Sequence, residues 1–286
     1  EIVKSAKKGI NAALLKSYEL KINIPFTPFI TVSVGMPGDH HVRKAFITDD
    51  CVSCNLCIPT CPTDAIPSNL VIISELCIGC GNCEAACPPA ANAIKYNHNA
   101  KELSSILPKC VDAGAESIEL HAGVPDDKLT MDEWKVVSDS VPNGMISMCL
   151  DRKHLSNEML IERIKLAQNI ANDRLIIQAD GIPMSGGTDD FNTTLQAVSI
   201  ADFINKEIKQ KERKFSKLPV LISGGTNSFT GELARNCGVP FNGITIGTHA
   251  RKVIKEFESK PKEMSNKDLQ IALSNANKLI TRNLKF

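Results

Sequence analysis

Eight of the eleven cysteines in this 286-residue chain fall into two runs of a single pattern. The first run is Cys51-Val-Ser-Cys54-Asn-Leu-Cys57-Ile-Pro-Thr-Cys61-Pro62, and the second is Cys77-Ile-Gly-Cys80-Gly-Asn-Cys83-Glu-Ala-Ala-Cys87-Pro88. Both fit C-x2-C-x2-C-x3-C-P, in which three thiolates wrap one iron–sulfur cubane and the fourth reaches across to a second. The spacing therefore assigns Cys51, Cys54, Cys57 and Cys87 to one [4Fe–4S] cluster, and Cys77, Cys80, Cys83 and Cys61 to the other. Such a pair handles single electrons.

The rest of each run suits that chemistry. Gly79 and Gly81 permit positive φ and a close approach of the backbone, so that N–H groups can point at cluster sulfurs. The prolines after the fourth cysteines remove one donor. Pro-Thr-Asp-Ala-Ile66 after the first run answers Pro-Pro-Ala-Ala-Asn-Ala-Ile94 after the second, with two extra residues, which predicts a pseudo-twofold module. Val71, Ile72, Ile73 and Ile78 are expected to screen the clusters from water. Four-cysteine zinc sites also use C-x2-C pairs, but two complete runs with the x3-C-P ending argue against zinc. A purely structural role for the clusters is the other alternative. Cys110, Cys149 and Cys237 lack such spacing and read as small buried hydrophobes.

Outside residues 45–98, short β-branched runs alternate with helical stretches. The strand candidates are Phe29–Gly35, Ser117–Ala122, Met145–Leu150, Leu175–Asp180, Pro219–Gly225 and Gly243–His249, most of them apolar enough to be buried on both faces of a parallel sheet. Thr130-Met-Asp-Glu133 reads as a capping box, and Ser156 as the cap of a helix with Leu160, Ile164, Ala167 and Ala171 on one face. A further helix is expected from about Phe191 to Lys214, and Gly114 and Gly238 sit where helices should stop. The alternation gives an α/β fold. The expected architecture is a TIM-barrel-like (β/α)8 domain, N-terminally incomplete because the chain opens in mid-helix, with an inserted ferredoxin-like 2[4Fe–4S] α+β domain. Residues 1–44 supply the first barrel part (a helix and strand three), 45–98 the ferredoxin and 99–286 the remainder. An open doubly wound sheet is the rival.

On the barrel reading, polar residues gather at strand ends: His121, Asp151 and Arg152, Gln178 and Asp180, Ser223 to Thr226, and Thr248 with His249. Two N–H-rich loops face the same mouth. One holds Ser185, Gly186, Gly187 and Thr188; the other holds Ser223, Gly224 and Gly225, joined by Gly247 and Thr248 after the last strand. Such loops can hold a phosphorylated ligand, FMN among them, or can simply allow tight strand-to-helix turns. His121 reads as a satisfied pocket residue rather than a base. Arg152 and Lys252 can pair with phosphate or with carboxylates, and His40 and His41 lie in the linker to the cluster module.

Composition narrows the partners. A net charge of +1 points away from nucleic acid, and no stretch reaches the roughly 18 apolar residues of a spanning helix. Cysteines at metal-ligand spacing imply a reducing compartment rather than disulfides.

The segments Cys149-Leu-Asp-Arg152, Ile177-Gln-Ala-Asp-Gly-Ile-Pro-Met-Ser-Gly-Gly187, Thr193-Thr-Leu-Gln-Ala197, Leu221-Ile-Ser-Gly-Gly-Thr-Asn227 and Gly247-Thr-His-Ala-Arg-Lys252 resemble those of the light-dependent period (LdpA) family of cyanobacteria and their photosynthetic relatives. The resemblance runs from about Thr31 to Lys252. It implies an iron–sulfur protein that reports redox state, and through it light, to the circadian clock, and that associates with clock proteins. It also implies a cytoplasmic location in a cyanobacterium, or the plastid stroma in a eukaryote. Three functions stand side by side: a redox sensor or electron-transfer protein working with a donor or acceptor protein, a flavin-dependent oxidoreductase fed by the clusters, and an iron–sulfur subunit of a photosynthetic or respiratory complex. No catalytic residue is carried over.

Overall fold

The computed structural model describes the chain apart from residues 20, 22, 24–26, 40–41, 99–101, 183–189, 248, 251–252, 254–264 and 285–286. Helix α1 (Ile2–Glu19) opens the chain and buries none of its side chains. Strand β1 (Thr31–Gly35) leads to an insertion in which β2 (Arg43–Ile47) pairs antiparallel with β3 (Ile94–His98), with the short α2 (Asn82–Ala86) between them. Then come α3 (Leu103–Asp112), β4 (Ser117–His121), α4 (Asp127–Ser140), β5 (Ile146–Leu150), α5 (Asn157–Ala171) and β6 (Leu175–Asp180). The chain closes with α6 (Asp190–Ile204), β7 (Val220–Ser223), α7 (Thr230–Asn236), β8 (Gly243–Ile244) and α8 (Asn266–Asn283).

All six expected strands of the larger body are present, each trimmed at one or both ends except β6. They form one parallel sheet in the order β1-β4-β5-β6-β7-β8. The order follows the sequence without a reversal. A doubly wound sheet carries a reversal of order, and the described strands show none. Sequential order is the order of a barrel wall, but β1 and β8 are not paired with each other among the described residues.

The two faces of the sheet differ, which corrects the expectation of strands apolar on both sides. Side chains alternate along a strand, and register carries a face from strand to strand. Ile118 and Leu120, Ile146, Met148 and Leu150, Ile177 and Ala179, and Val220 and Ile222 are fully buried. They form one continuous core with Trp134, Leu160, Ile164, Ala167 and Ala201 from the helices. The opposite face carries Ser117, Glu119, Ser147, Cys149, Gln178, Asp180 and Ser223, also buried. Strands that bury polar side chains on one face have something other than a helix layer to satisfy there.

Local signals worked where a side chain had one partner to choose. Ser156 caps α5 by accepting from Met159 N, and Gly114 (φ 109°) and Gly238 (φ 67°) end their helices in the left-handed region. The expected capping box at Thr130 is wrong. Asp126 caps α4 by accepting from Leu129 N, and Thr130 lies inside the helix with its hydroxyl on Asp126 O. An ionised carboxylate one turn earlier takes the role from the hydroxyl. The long helix after Phe191 stops being α-helical at Ile204 and continues as a π turn through Lys209.

Candidate functional site

The insertion has its own small core, in which Ala45, Cys57, Ala65, Ile66, Cys77, Cys83 and Ile94 are buried. Inside it lie two small cavities of about 20 Å³ each. One is walled by Cys77, Cys80, Cys83 and Cys61, the other by Cys51, Cys54, Cys57 and Cys87. Three sulfurs in each come from one run and the fourth from the other.

Backbone donors repeat between the halves. Ala65 N donates to Cys61 Sγ at 3.2 Å and Ala93 N to Cys87 Sγ at 3.4 Å, the second after the two-residue expansion of the sequence repeat. Ala45 N donates to Cys77 Sγ and Ser53 N to Cys51 Sγ, both at 3.4 Å. Gly79 and Gly81 have φ of 69° and 93°, as the ligand loop requires. Burial, with the neighbouring Cys80, Cys77 and Cys61, pushes the Cys83 thiol up to about 11. Burial also raises Cys57, helped by Cys51, Cys54 and Cys87. Sulfurs crowded in this way shed their protons readily only when a metal centre takes the charge. Four thiol donors per cavity, with N–H groups aimed at sulfur, fit a [4Fe–4S] cubane.

The apolar screen is smaller than expected. Ile72 and Ile78 line one cavity and Leu70 the other, whereas Val71 (65% exposed) and Ile73 face outward.

The two cavities differ in charge. Arg43 stacks over the Tyr96 ring at 4.0 Å and donates Nε to Gly79 O at 2.9 Å, while Lys44 Nζ donates to Cys77 O. Burial and the hydrogen bond to Glu84 (2.9 Å) hold the Tyr96 phenol protonated far above its ordinary range. Both cations thus border the Cys61/77/80/83 cavity. Positive charge favours an added electron, so Arg43→Gln should lower the midpoint potential of that centre by an amount on the order of tens of millivolts. The other centre should be unmoved; potentiometric titration followed by EPR checks both.

The second constellation is the polar face of the parallel sheet. His121 Nε2 lies 2.9 Å from Glu119 Oε1, two residues earlier on the same strand. Cys149, in register with His121 on the next strand, is fully buried and shares a hydrogen bond with Asp180. Gln178 donates through Nε2 to Ser147 Oγ and accepts at Oε1 from Thr245 Oγ1, both at 3.0 Å. Asp151 Oδ1 accepts from Lys153 N at 2.7 Å. Burial pulls the His121 imidazole down, but its Glu119 hydrogen bond and the charges of Glu119, Asp39 and Asp180 outweigh that and hold it above its usual value. Burial, then Asp180 and Glu119, push the Cys149 thiol well up.

Sequence matching decides the family. The model of the light dependent period A C-terminal domain covers residues 109–285, and that of the 4Fe-4S binding domain covers 45–66 and 70–91. The chain belongs to the light dependent period A family. No curated protein matches it.

The light dependent period A match takes in most of the buried polar face, and the structure shows what several of its segments do. In Cys149–Arg152, Cys149 and Asp151 enter the polar cluster. Arg152 instead donates to Asn157 Oδ1 and stacks on Phe203 at 4.7 Å. In the segment after β7, Gly224 (φ 77°) is demanded by packing, because a Cβ there would fall on Asp180 Oδ1 and the Gly181 backbone. Gly224→Ala should therefore destabilise this light dependent period A domain by roughly 1–3 kcal/mol in chemical denaturation. Gly225 O is held by the Thr194 hydroxyl at 2.7 Å, so this loop has a structural duty whatever else it binds. Gly247 is exposed with open space around it, and His249 Nε2 meets Ser228 Oγ at 2.9 Å. Ser185, Gly186, Gly187, Thr188, Thr248, Lys252, His40 and His41 lie outside the described residues.

The sequence reading missed Glu119, and of the three spare cysteines only Cys149 is buried as expected. Cys149 is buried among acids, Cys110 is half-buried and Cys237 is exposed. The signal for Glu119 was present: Ser117, Glu119 and His121 alternate with Ile118 and Leu120.

Proposed function

We propose that this light dependent period A family member carries two [4Fe–4S] clusters and works as a one-electron redox sensor or transfer protein. The observation that supports it most is the pair of cavities, each walled by three cysteines of one run and the fourth of the other. Bound there, such clusters supply one-electron exchange at potentials set by charge, N–H donors and exposure, within roughly −700 to +450 mV. The chain's part is to hold the sulfurs, aim Ala65 N and Ala93 N at them, and place Arg43 and Lys44 beside one centre. A change of one unit of charge in so small a module alters its surface field and can bias docking of a partner.

In this reading the partner is a donor or acceptor protein, with clock proteins as the family's expected listeners, in the cytoplasm of a cyanobacterium or a plastid stroma. The parallel sheet is read as part of a (β/α)8 wall. A flavin-dependent oxidoreductase is the second reading, favoured by the buried polar face at the strand ends; FMN would use the glycine-rich loops after β6 and β7. Membership of a photosynthetic or respiratory complex is the third.

Anaerobic reconstitution with iron and sulfide, followed by EPR-monitored potentiometry, tests the first reading. Two interacting S = ½ signals on reduction are expected. A reconstituted protein that takes up no electron across that potential range would refute redox function. Absorbance after gentle purification separates the second, since bound flavin adds structured bands to the broad cluster absorption.

A further inference from the structure

The polar face of the sheet holds a set of donors that the cluster chemistry does not use. Glu119 and His121 lie two residues apart on β4, and Cys149 is the register partner of His121 on β5. One ligand atom from each of the three lies within 4.8 Å of the other two. The group is shielded: the side chains of His121 and Glu119 are 17% and 12% exposed, and Cys149 as a residue 2%. Around them stand Asp39, Asp151 and Asp180, each at least nine-tenths buried.

We propose that Glu119, His121 and Cys149 form a mononuclear site for a borderline divalent cation of the Zn²⁺ or Fe²⁺ class, separate from the iron–sulfur module. The geometry follows from the strands. Alternation puts residues 119 and 121 on one face, and parallel register brings Cys149 beside His121, so three donors converge without any loop having to close. Carboxylate, imidazole and thiolate together suit zinc or ferrous iron better than magnesium or calcium, which prefer oxygen alone. Three protein ligands leave a fourth position for water or substrate, the arrangement of catalytic rather than structural zinc.

The sign of the field agrees. Asp39, Asp151 and Asp180, all buried, set their carboxylates around the three donors. A site with that potential attracts a cation and repels a phosphate. An incoming metal would displace the proton of the Cys149 thiol and any proton on the ligating His121 nitrogen. Asp180, sharing a hydrogen bond with Cys149, is a natural acceptor and would then help orient the thiolate.

The test uses the full chain with its clusters reconstituted, incubated with Zn²⁺ and desalted. Retention of about one zinc per chain beyond the cluster iron is expected. The zinc-edge X-ray absorption should show one sulfur at ~2.3 Å and nitrogen or oxygen neighbours at ~2.0–2.1 Å. Cys149→Ser and His121→Asn should each weaken retention at least about ten-fold, with Glu119→Gln as a milder variant of nearly unchanged shape. Iron and acid-labile sulfide measured in the same samples should stay at wild-type levels, which keeps this result apart from failure of the clusters themselves. Three outcomes overturn the site: wild-type protein that keeps no zinc, a zinc shell of four sulfurs (metal in a cluster cavity), or variants that retain zinc as wild type does.

Discussion

Cys61→Ser should abolish the same iron–sulfur centre as Cys83→Ser, although the two residues belong to different runs. Each variant should retain about half of the wild-type iron and sulfide, because the other cavity keeps its four sulfurs. The EPR signal that survives should be the same in both. Cys87→Ser should match Cys54→Ser in the same way, leaving the opposite signal. The crossing is what makes the result informative. A module in which each run held its own cluster would pair Cys61 with Cys57 instead, and a shared signature of those two variants would sink the crossed arrangement. The surviving centre should also tell the two cavities apart by charge, since Arg43 and Lys44 border only one of the sets just described. Stability should fall as well, because metal binding and folding are coupled in a module whose buried core is partly cysteine.

Arg163→Ala should be the most damaging single change in the larger body. Arg163 is fully buried, and its guanidinium donates to Ala122 O and Val124 O at 2.6 Å each, while Nε and Nη2 reach Asp127 Oδ1 at 2.8 and 2.5 Å. Asp127 is 42% exposed and keeps water after the loss, so its charge is not the main cost. The two carbonyls are. Each would lose its donor, at about 1–3 kcal/mol apiece, and the side chain would leave a void. We expect a loss of roughly 3–5 kcal/mol, or about 6–20 °C in Tm, with Arg163→Lys restoring only part because an ammonium cannot reproduce the fork. Urea denaturation of the two variants beside wild type checks this. A loss under about 1 kcal/mol would mean that water replaces the guanidinium without penalty. Ala122 follows His121 directly and Val124 lies two residues further on, so the same variant should loosen the polar face.

The cluster module was legible because its chemistry is written in one dimension. A cubane fixes the distances between its ligands, and short loops convert those distances into counts of residues. Even the crossed assignment of Cys61 and Cys87 follows from the x3 step. The six strands were legible for a different reason: buried parallel strands are short apolar runs between helices. What escaped was the division between faces. Ser147 and Cys149 sit in Ile-Ser-Met-Cys-Leu, whose overall apolarity conceals a period of two. Bringing Cys149 to His121 needs the register of β4 against β5, which is a property of the packed sheet and not of either segment. Thr130 failed as a cap for a similar reason, since its rival Asp126 lay outside the motif being read. The glycines after β7 show the reverse case. Gly224 is required by the approach of Gly181, a contact between strands that no local turn rule contains.

The position of the insertion has a consequence for how the chain assembles. Every neighbouring pair from β4 onward is joined by a helical connection, the longest running from Gly181 to Pro219, whereas the connection between β1 and β4 runs from Met36 to Glu116. Pairing those two strands costs the loop-closure entropy of that whole stretch when the insertion is unfolded. Once β2 lies against β3, with Arg43 opposite His98, the two ends of the insertion are already side by side and the effective loop is about a third as long. The saving is roughly 1 kcal/mol. Loading iron into the insertion thereby tightens the first strand of a sheet that holds none of its ligands.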